Sequence, residues 1–186
     1  MKHSIIKVII TTISLLGLIG SSKAQTLSVA SINAEAGTQV ELVVTGTSLS
    51  TSVTALQFIL SLPEGVTLNE AAITKGAAAS GHELCVNALS SGARLFVLYH
   101  MNLDAIGNGE LLRLPITIGE NAVSGNVQLS TIRFASTEAM SIAGTDVYAT
   151  INVTADDELL RYDVNRDGKI DISDVVALVN KILSRN

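Results

Sequence analysis

The chain has 186 residues, with 12 Lys+Arg against 17 Asp+Glu, a single Cys, two Pro and no Trp. That length holds one domain of ordinary size and a small appendage; 47% hydrophobic residues support a packed core, and 3% aromatics make that core aliphatic. The acidic balance leaves no basic footprint for nucleic acid, and one Cys excludes a disulfide framework and a multi-Cys zinc site.

Residues 1–24 read as an address. Lys2 and Lys7 flank a positive start, Val8–Gly20 is an almost unbroken apolar run of 13 residues, and Ser22 and Ala24 are the small residues a signal peptidase reads. A secretory signal cleaved before Gln25 is expected. The run is short of the ~20 residues a membrane span needs, and no Cys follows it to carry a lipoprotein anchor. Removing 24 of 186 residues takes away three Lys and no acid, which leaves 162 residues with nine Lys+Arg against 17 Asp+Glu. The mature protein is expected to be secreted or held at the cell surface, with no membrane insertion.

From Gln25 to about Ala155 the dominant period is two, the spacing that sends successive side chains to opposite faces of a strand. A strand is expected at Thr26–Ser31, after which Val40, Leu42 and Val44 alternate, and then Leu56, Phe58, Leu60 and Leu62. Residues Glu70–Gly81 are Ala-rich without a clear period and suit one helical turn or a loop across the open end of the fold. Strands follow at Glu83–Leu89 and Arg94–Met101, then through Leu112, Leu114, Ile116 and Ile118, then at Asn126–Ser136, and last through Val147, Ala149, Ile151 and Val153. Pro115 cannot donate to a ladder, so its strand is expected at an edge or bulged. Cys85, between Leu84 and Val86, reads as a small buried hydrophobe. Turn signals fall between the strands, among them Ala36-Gly37-Thr38, Pro63-Glu64-Gly65, Ser91-Gly92 and Gly107-Asn108-Gly109. The fold class is therefore mainly β, a jelly-roll-like β-sandwich of eight or nine strands over residues 25–155, because each sheet has one apolar face that another sheet must cover.

Residues 156–186 differ. They hold seven of the 17 acids, and their centre reads Asp163-Val164-Asn165-Arg166-Asp167-Gly168-Lys169-Ile170-Asp171-Ile172-Ser173-Asp174. Oxygen side chains occupy loop positions one, three, five, nine and twelve, and Gly occupies six. This is the spacing that wraps a chain around Ca2+, which takes six to eight hard oxygen ligands. Asp163, Asn165, Asp167 and Asp174 are expected to ligate directly, Lys169 through its carbonyl, and Asp171 directly or through water. Gly168 permits the sharp bend, and Ile170 is expected to point inward. Beyond the loop, Val175, Leu178, Val179 and Ile182 recur at helical spacing, which completes a small C-terminal EF-hand-like loop-helix.

The stretch DVNRDGKIDISDVVALVNKIL resembles a single repeat of a dockerin, the calcium-dependent module that plugs secreted enzymes into cohesins in cellulosome-like assemblies. Dockerins normally carry two such repeats; one is found here. Ile172 and Ser173 stand where well-known dockerins have a partner-selecting Ser-Thr pair; against the general calcium-loop motif, Asp174 replaces the Glu usual at position twelve. The body is similar to a cohesin or a related carbohydrate-binding sandwich: Phe58-Ile59-Leu60-Ser61-Leu62-Pro63-Glu64-Gly65-Val66 follows the Gly37–Val44 opening, and Asn108-Gly109-Glu110-Leu111-Leu112 leads a later strand.

Catalytic signatures are missing from the sequence. His82-Glu83 is followed by Val86 rather than His, and no Gly-x-Ser-x-Gly elbow is present, so the chain reads as non-catalytic. Asn152-Val153-Thr154 matches a glycosylation acceptor but lies in the last strand and reads as structural. Two functions are weighed. In one, the resemblance implies calcium-dependent protein–protein assembly with a cohesin- or dockerin-bearing secreted or surface partner. In the other, the sandwich binds polysaccharide, although with no Trp and only Tyr99, Tyr148 and Tyr162 it has little for a stacking platform. A purely structural surface protein is a blander third. The apolar face of a single repeat has no cover within the repeat, which is compatible with a dimer through the tails.

Overall fold

A computed structural model describes residues 24–154 and 162–184 of the chain. The expected signal segment, apart from Ala24, lies outside the described residues. Among these residues no helix is long and apolar enough to cross a membrane.

Among the described residues twelve strands build two sheets: β1 (Thr26–Val29), β2 (Ile32–Glu35), β3 (Gln39–Thr47), β4 (Val53–Ser61), β5 (Val66–Leu68), β6 (Thr74–Lys75), β7 (Glu83–Ala88), β8 (Arg94–Tyr99), β9 (Gly109–Ile118), β10 (Gly125–Ser136), β11 (Ser141–Ala143) and β12 (Val147–Thr154). Nine of them have four residues or more, and the added β5, β6 and β11 are fragments of two or three. The smaller sheet runs β1-β3-β9-β5 with β6 also beside β9; the larger runs β2-β12-β10-β4-β8-β7 with β11 beside β10.

The alternating positions meet between the sheets. Leu42, Val44, Leu56, Leu60, Leu112, Leu114, Ile116, Ile118 and Ile151 are buried there, with Phe58, Phe96 and Phe134 fully so. Phe58 and Phe96, opposite each other on β4 and β8, stack with ring centroids 4.8 Å apart. Burying these side chains removes a large apolar area from water, at about 25 cal/mol per Å², and that is the main force holding the layers together.

Several expectations change in three dimensions. The single strand expected at Thr26–Ser31 ends at Val29; the chain then crosses sheets, with β1 antiparallel to β3 and β2 parallel to β12. The strand of Pro115 is not an edge. β9 lies between β3 and the β5–β6 side, and Pro115 faces the gap between β5 and β6, where its carbonyl accepts the Asn69 N–H at 2.9 Å and no donor is needed from its nitrogen. The strand does bulge, four residues before Pro115: Val44 pairs Leu112 but Thr45 pairs Glu110, so Leu111 is the extra residue, and both leucines are fully buried. Residues 70–81 form two single 3₁₀ turns, Glu70–Ala72 and Ala77–Ala79, around β6. Gly76 between them packs against β9 so closely that a Cβ there would lie 2.2 Å from the Glu110 carbonyl oxygen. Cys85 is exposed rather than buried, because it occupies an outward position of β7 while Leu84 and Val86 turn to the core.

The tail carries helix α1 (Ile172–Leu183). Asp171 is its N-cap, and Asp171 and Asp174 form a reciprocal capping box.

Candidate functional site

The loop ahead of α1 folds around its own carboxylates. Asp163 and Asp174, its first and twelfth residues, are both buried. Asp163 Oδ1 accepts the Asp167 N–H at 3.1 Å and Oδ2 the Gly168 N–H at 2.8 Å. Asp174 Oδ1 accepts the Asn165 N–H at 3.2 Å and Oδ2 the Asp171 N–H at 2.9 Å. Asn165 Oδ1 accepts from Asp167 N at 2.9 Å and Asp167 Oδ1 from Lys169 N at 3.0 Å. The turn needs Arg166 at φ 61° and Gly168 at φ 82°, and no atom comes within 4 Å of where a Gly168 Cβ would sit, so the glycine serves conformation rather than space.

These contacts set the electrostatics. The Asp171 N–H, with lesser help from Asn165, Val164 and Asp163, holds the Asp174 carboxyl below the usual carboxylate range against the opposing effect of burial. The Ser173 hydroxyl and N–H hold Asp171 low, against burial and the neighbouring Asp174. Among the described residues, none of the loop acids forms an ion pair with Lys or Arg. Two buried carboxylates brought together without a counter-charge are costly unless a cation joins them.

The expected ligands therefore gather, but not into a closed cage: among the described residues no cluster of three or more His, Cys, Asp or Glu stands ready for a metal. Two of the expected ligand groups are turned to neighbours instead. Asn165 directs Nδ2, not its oxygen, at Asp167 Oδ2 (2.8 Å) and at the Ser173 hydroxyl (2.8 Å). Asp171 Oδ1 is engaged by Ser173 N (2.8 Å) and Oγ (2.6 Å) as the helix cap. The donor set is nonetheless all hard oxygen, which fits Ca2+. Ile170 is 48% exposed, contrary to the inward position expected of it, since no second loop lies against it among the described residues.

A second candidate surface is the outer face of the larger sheet. The pairing of β4, β7 and β8 sets Asn87, Leu95 and Ile59 in one row, Cys85, Val97 and Gln57 in the next, and Glu83, Tyr99 and Ala55 in a third. Arg133 and Ala135 extend the last two rows onto β10. Over the last two rows, where β4 meets β10, lies a shallow depression of about 160 Å³ whose lining includes Ala55, Gln57, Val97, Arg133, Ala135 and Ser141. The apolar centre of this face, Ile59, Leu95 and Val97, was missed in the sequence, and its signal was the unbroken runs Phe58-Ile59-Leu60 and Leu95-Phe96-Val97-Leu98. Toward β12 the same face turns polar: Asn152 Nδ2 donates to Asn33 Oδ1 at 2.9 Å, and Gln128 Nε2 to the exposed Tyr148 hydroxyl at 2.9 Å. The outer face of the smaller sheet is charged instead, with Arg113 bridging Glu110 (2.6 and 2.8 Å) and Glu41 (3.2 Å).

Among the described residues, two imidazoles meet backbone, and His100 Nδ1 also lies 3.3 Å from Asp104 Oδ2. His82 is buried, with Nε2 at 3.1 Å from the Asp104 carbonyl, and His100 Nδ1 accepts the Asn102 and Asp104 amides at 3.3 and 3.4 Å.

No family model matches the sequence, and no curated protein matches it. Solved structures do. A non-cellulosomal cohesin from Archaeoglobus fulgidus superposes with TM-score 0.59 at 14% identity, over 75% of this chain and 98% of its own. A cohesin module from a Clostridium perfringens family 33 glycoside hydrolase gives 0.61 at 12%, over 72% and 98%. A chain of a type I cohesin–dockerin complex from Clostridium thermocellum gives 0.61 at 9%, over 70% and 99%. At such identities the likeness is one of fold: the body is a cohesin-like β-sandwich, mainly β, in two sheets, followed in the described residues by the helix Ile172–Leu183.

Proposed function

We propose that this chain is a non-catalytic secreted module for protein–protein assembly, joined to a calcium-ordered tail. The observation that carries the reading is the outer face of β4, β8 and β7. Ile59, Leu95 and Val97 form an apolar centre, and Gln57, Arg133, Tyr99 and Glu83 form a polar rim. A polar rim around an apolar centre is the anatomy of a protein-docking surface. Cohesin–dockerin complexes among the structural neighbours support a dockerin-bearing partner. In the tail, Asp163, Asn165, Asp167, Asp174 and the Lys169 carbonyl would hold Ca2+, with Asp171 beside them. The ion would supply the positive charge that two buried, unpaired carboxylates lack and would thereby order the turn into α1.

The reading is tested by immobilising the mature protein and capturing secreted dockerin-bearing proteins, beside a Val97→Asp variant. Loss of capture in the variant supports the reading, and equal capture by both overturns the assigned face. A second reading, polysaccharide binding, is favoured by the polar half of that face, where Tyr148 is 62% exposed beside Gln128. Retardation in gels cast with soluble polysaccharide, lost in Tyr148→Ala, would support it.

A further inference from the structure

Helix α1 presents Ile172, Val175, Val176, Leu178, Val179, Ile182 and Leu183, each 46–75% exposed. At about 100° per residue they span an arc of roughly 160°, and the charged residues of the helix, Asp174 and Lys181, fall together on the far side. A helix of 12 residues is too short to persist alone in water, so this face needs a cover.

We propose that the cover is the same face of a second copy, in a two-fold, antiparallel pair of α1 helices. Three observations favour that occupant. Residues 155–161 hold only Leu159 and Leu160 as large aliphatic side chains, too few to mask seven. The face carries no charge, so it is self-complementary across a two-fold axis without like-charge repulsion, and antiparallel packing opposes the helix dipoles favourably. At roughly 70 Å² per aliphatic side chain, the face offers on the order of 500 Å² per copy, and two copies reach the ~1,000 Å² that a specific interface requires. The pair would carry two sandwich faces on one body, which raises avidity for a partner that displays its motif repeatedly. This inference rests on the calcium-ordered tail proposed above, because the loop ahead of α1 sets the start of the helix.

The test uses the full mature chain in sedimentation velocity from about 1 to about 200 µM, with about 1 mM calcium or with chelator, and calorimetry on the same samples to follow calcium uptake. The expected result is a dimer in calcium that weakens at least tenfold in chelator. Val179→Asp and Ile182→Asp should each raise the dissociation constant at least ~100-fold with calcium uptake unchanged, which shows that the loop still folds. A wild-type monomer at every concentration with calcium bound overturns the pair and leaves the calcium reading standing. Absence of calcium uptake overturns that reading itself. A monomer whose α1 amides resist hydrogen exchange places another part of the chain on the helix, and a dimer indifferent to both substitutions places the interface elsewhere; either result overturns the proposal.

Discussion

Asp171 and Asp174 cap each other across the first turn of α1: the Asp174 carboxylate accepts the Asp171 N–H at 2.9 Å, and Asp171 accepts in return from the first-turn amides. Both carboxyls sit below their ordinary range because the ionised forms receive hydrogen bonds, Asp171 chiefly from the Ser173 hydroxyl and Asp174 chiefly from the Asp171 N–H. The sign follows from linkage. A group with a depressed folded pKa contributes stability above its unfolded value, about 3.9 for Asp, and that contribution is lost as pH falls through the folded value. The α1 amide protection that remains in chelator is therefore expected to hold from neutrality to about pH 4 and to collapse in stronger acid. A helix that melts between pH 7 and 5 would contradict this.

Calcium should act on the tail alone. With free ion about a hundred-fold above its dissociation constant, the gain is roughly 2.7 kcal/mol. Asp163→Ala or Asp174→Ala should abolish that gain and leave the melting of the sandwich unchanged, as followed by calorimetry with and without chelator. Equal hydrogen-exchange protection of the tail in chelator would contradict the coupling.

The core predicts the opposite pattern. Phe58→Ala leaves a void under the stacked Phe96 and should cost the sandwich about 3–5 kcal/mol without altering calcium uptake by the tail. Chemical denaturation of the mature chain checks the first, and calorimetric titration the second.

Two glycines should behave differently. Gly76→Ala drives a methyl into the Glu110 carbonyl at 2.2 Å, backbone that cannot swing aside. Gly92→Ala meets only open space and pays the strain of φ 85° alone. The thermal midpoint should fall further for Gly76→Ala, and the reverse order would show that β6 does not anchor to β9.

On the assembly face, Val97→Asp should weaken capture of a partner by at least ~30-fold, the effect of losing a central contact. Arg113→Ala on the opposite sheet should leave capture unchanged. Surface plasmon resonance on the mature chain decides between these, with unchanged thermal melting as the control for folding.

Much of the architecture was legible because side-chain period alone says which residues face inward. Leu42, Phe58, Leu114 and Ile151 are buried where alternation placed them. Pro115 and Cys85 were misplaced for one reason: their environment depends on which strand lies alongside. Pro115 is accommodated by a break between β5 and β6, and Cys85 is exposed because nothing packs outside β7 among the described residues. The loop residues Asp163 to Asp174 were readable as a unit because their contacts are local, whereas the direction of the Asn165 amide and the capture of Asp171 by Ser173 are matters of rotamer.

Short-range chemistry, then, was written in the residue order: the two-residue period that makes strands, the glycines that make turns, the acid spacing that closes the tail loop. The tertiary structure alone decided that β2 runs parallel to β12, that Leu111 joins Leu112 in the core through a bulge, and that Ile59, Leu95 and Val97 from strands far apart in sequence meet on one outer face. The physical reason is that a strand's pattern specifies a face but not a neighbour, and neighbours are chosen only when the two sheets close on one another and bury their apolar sides together.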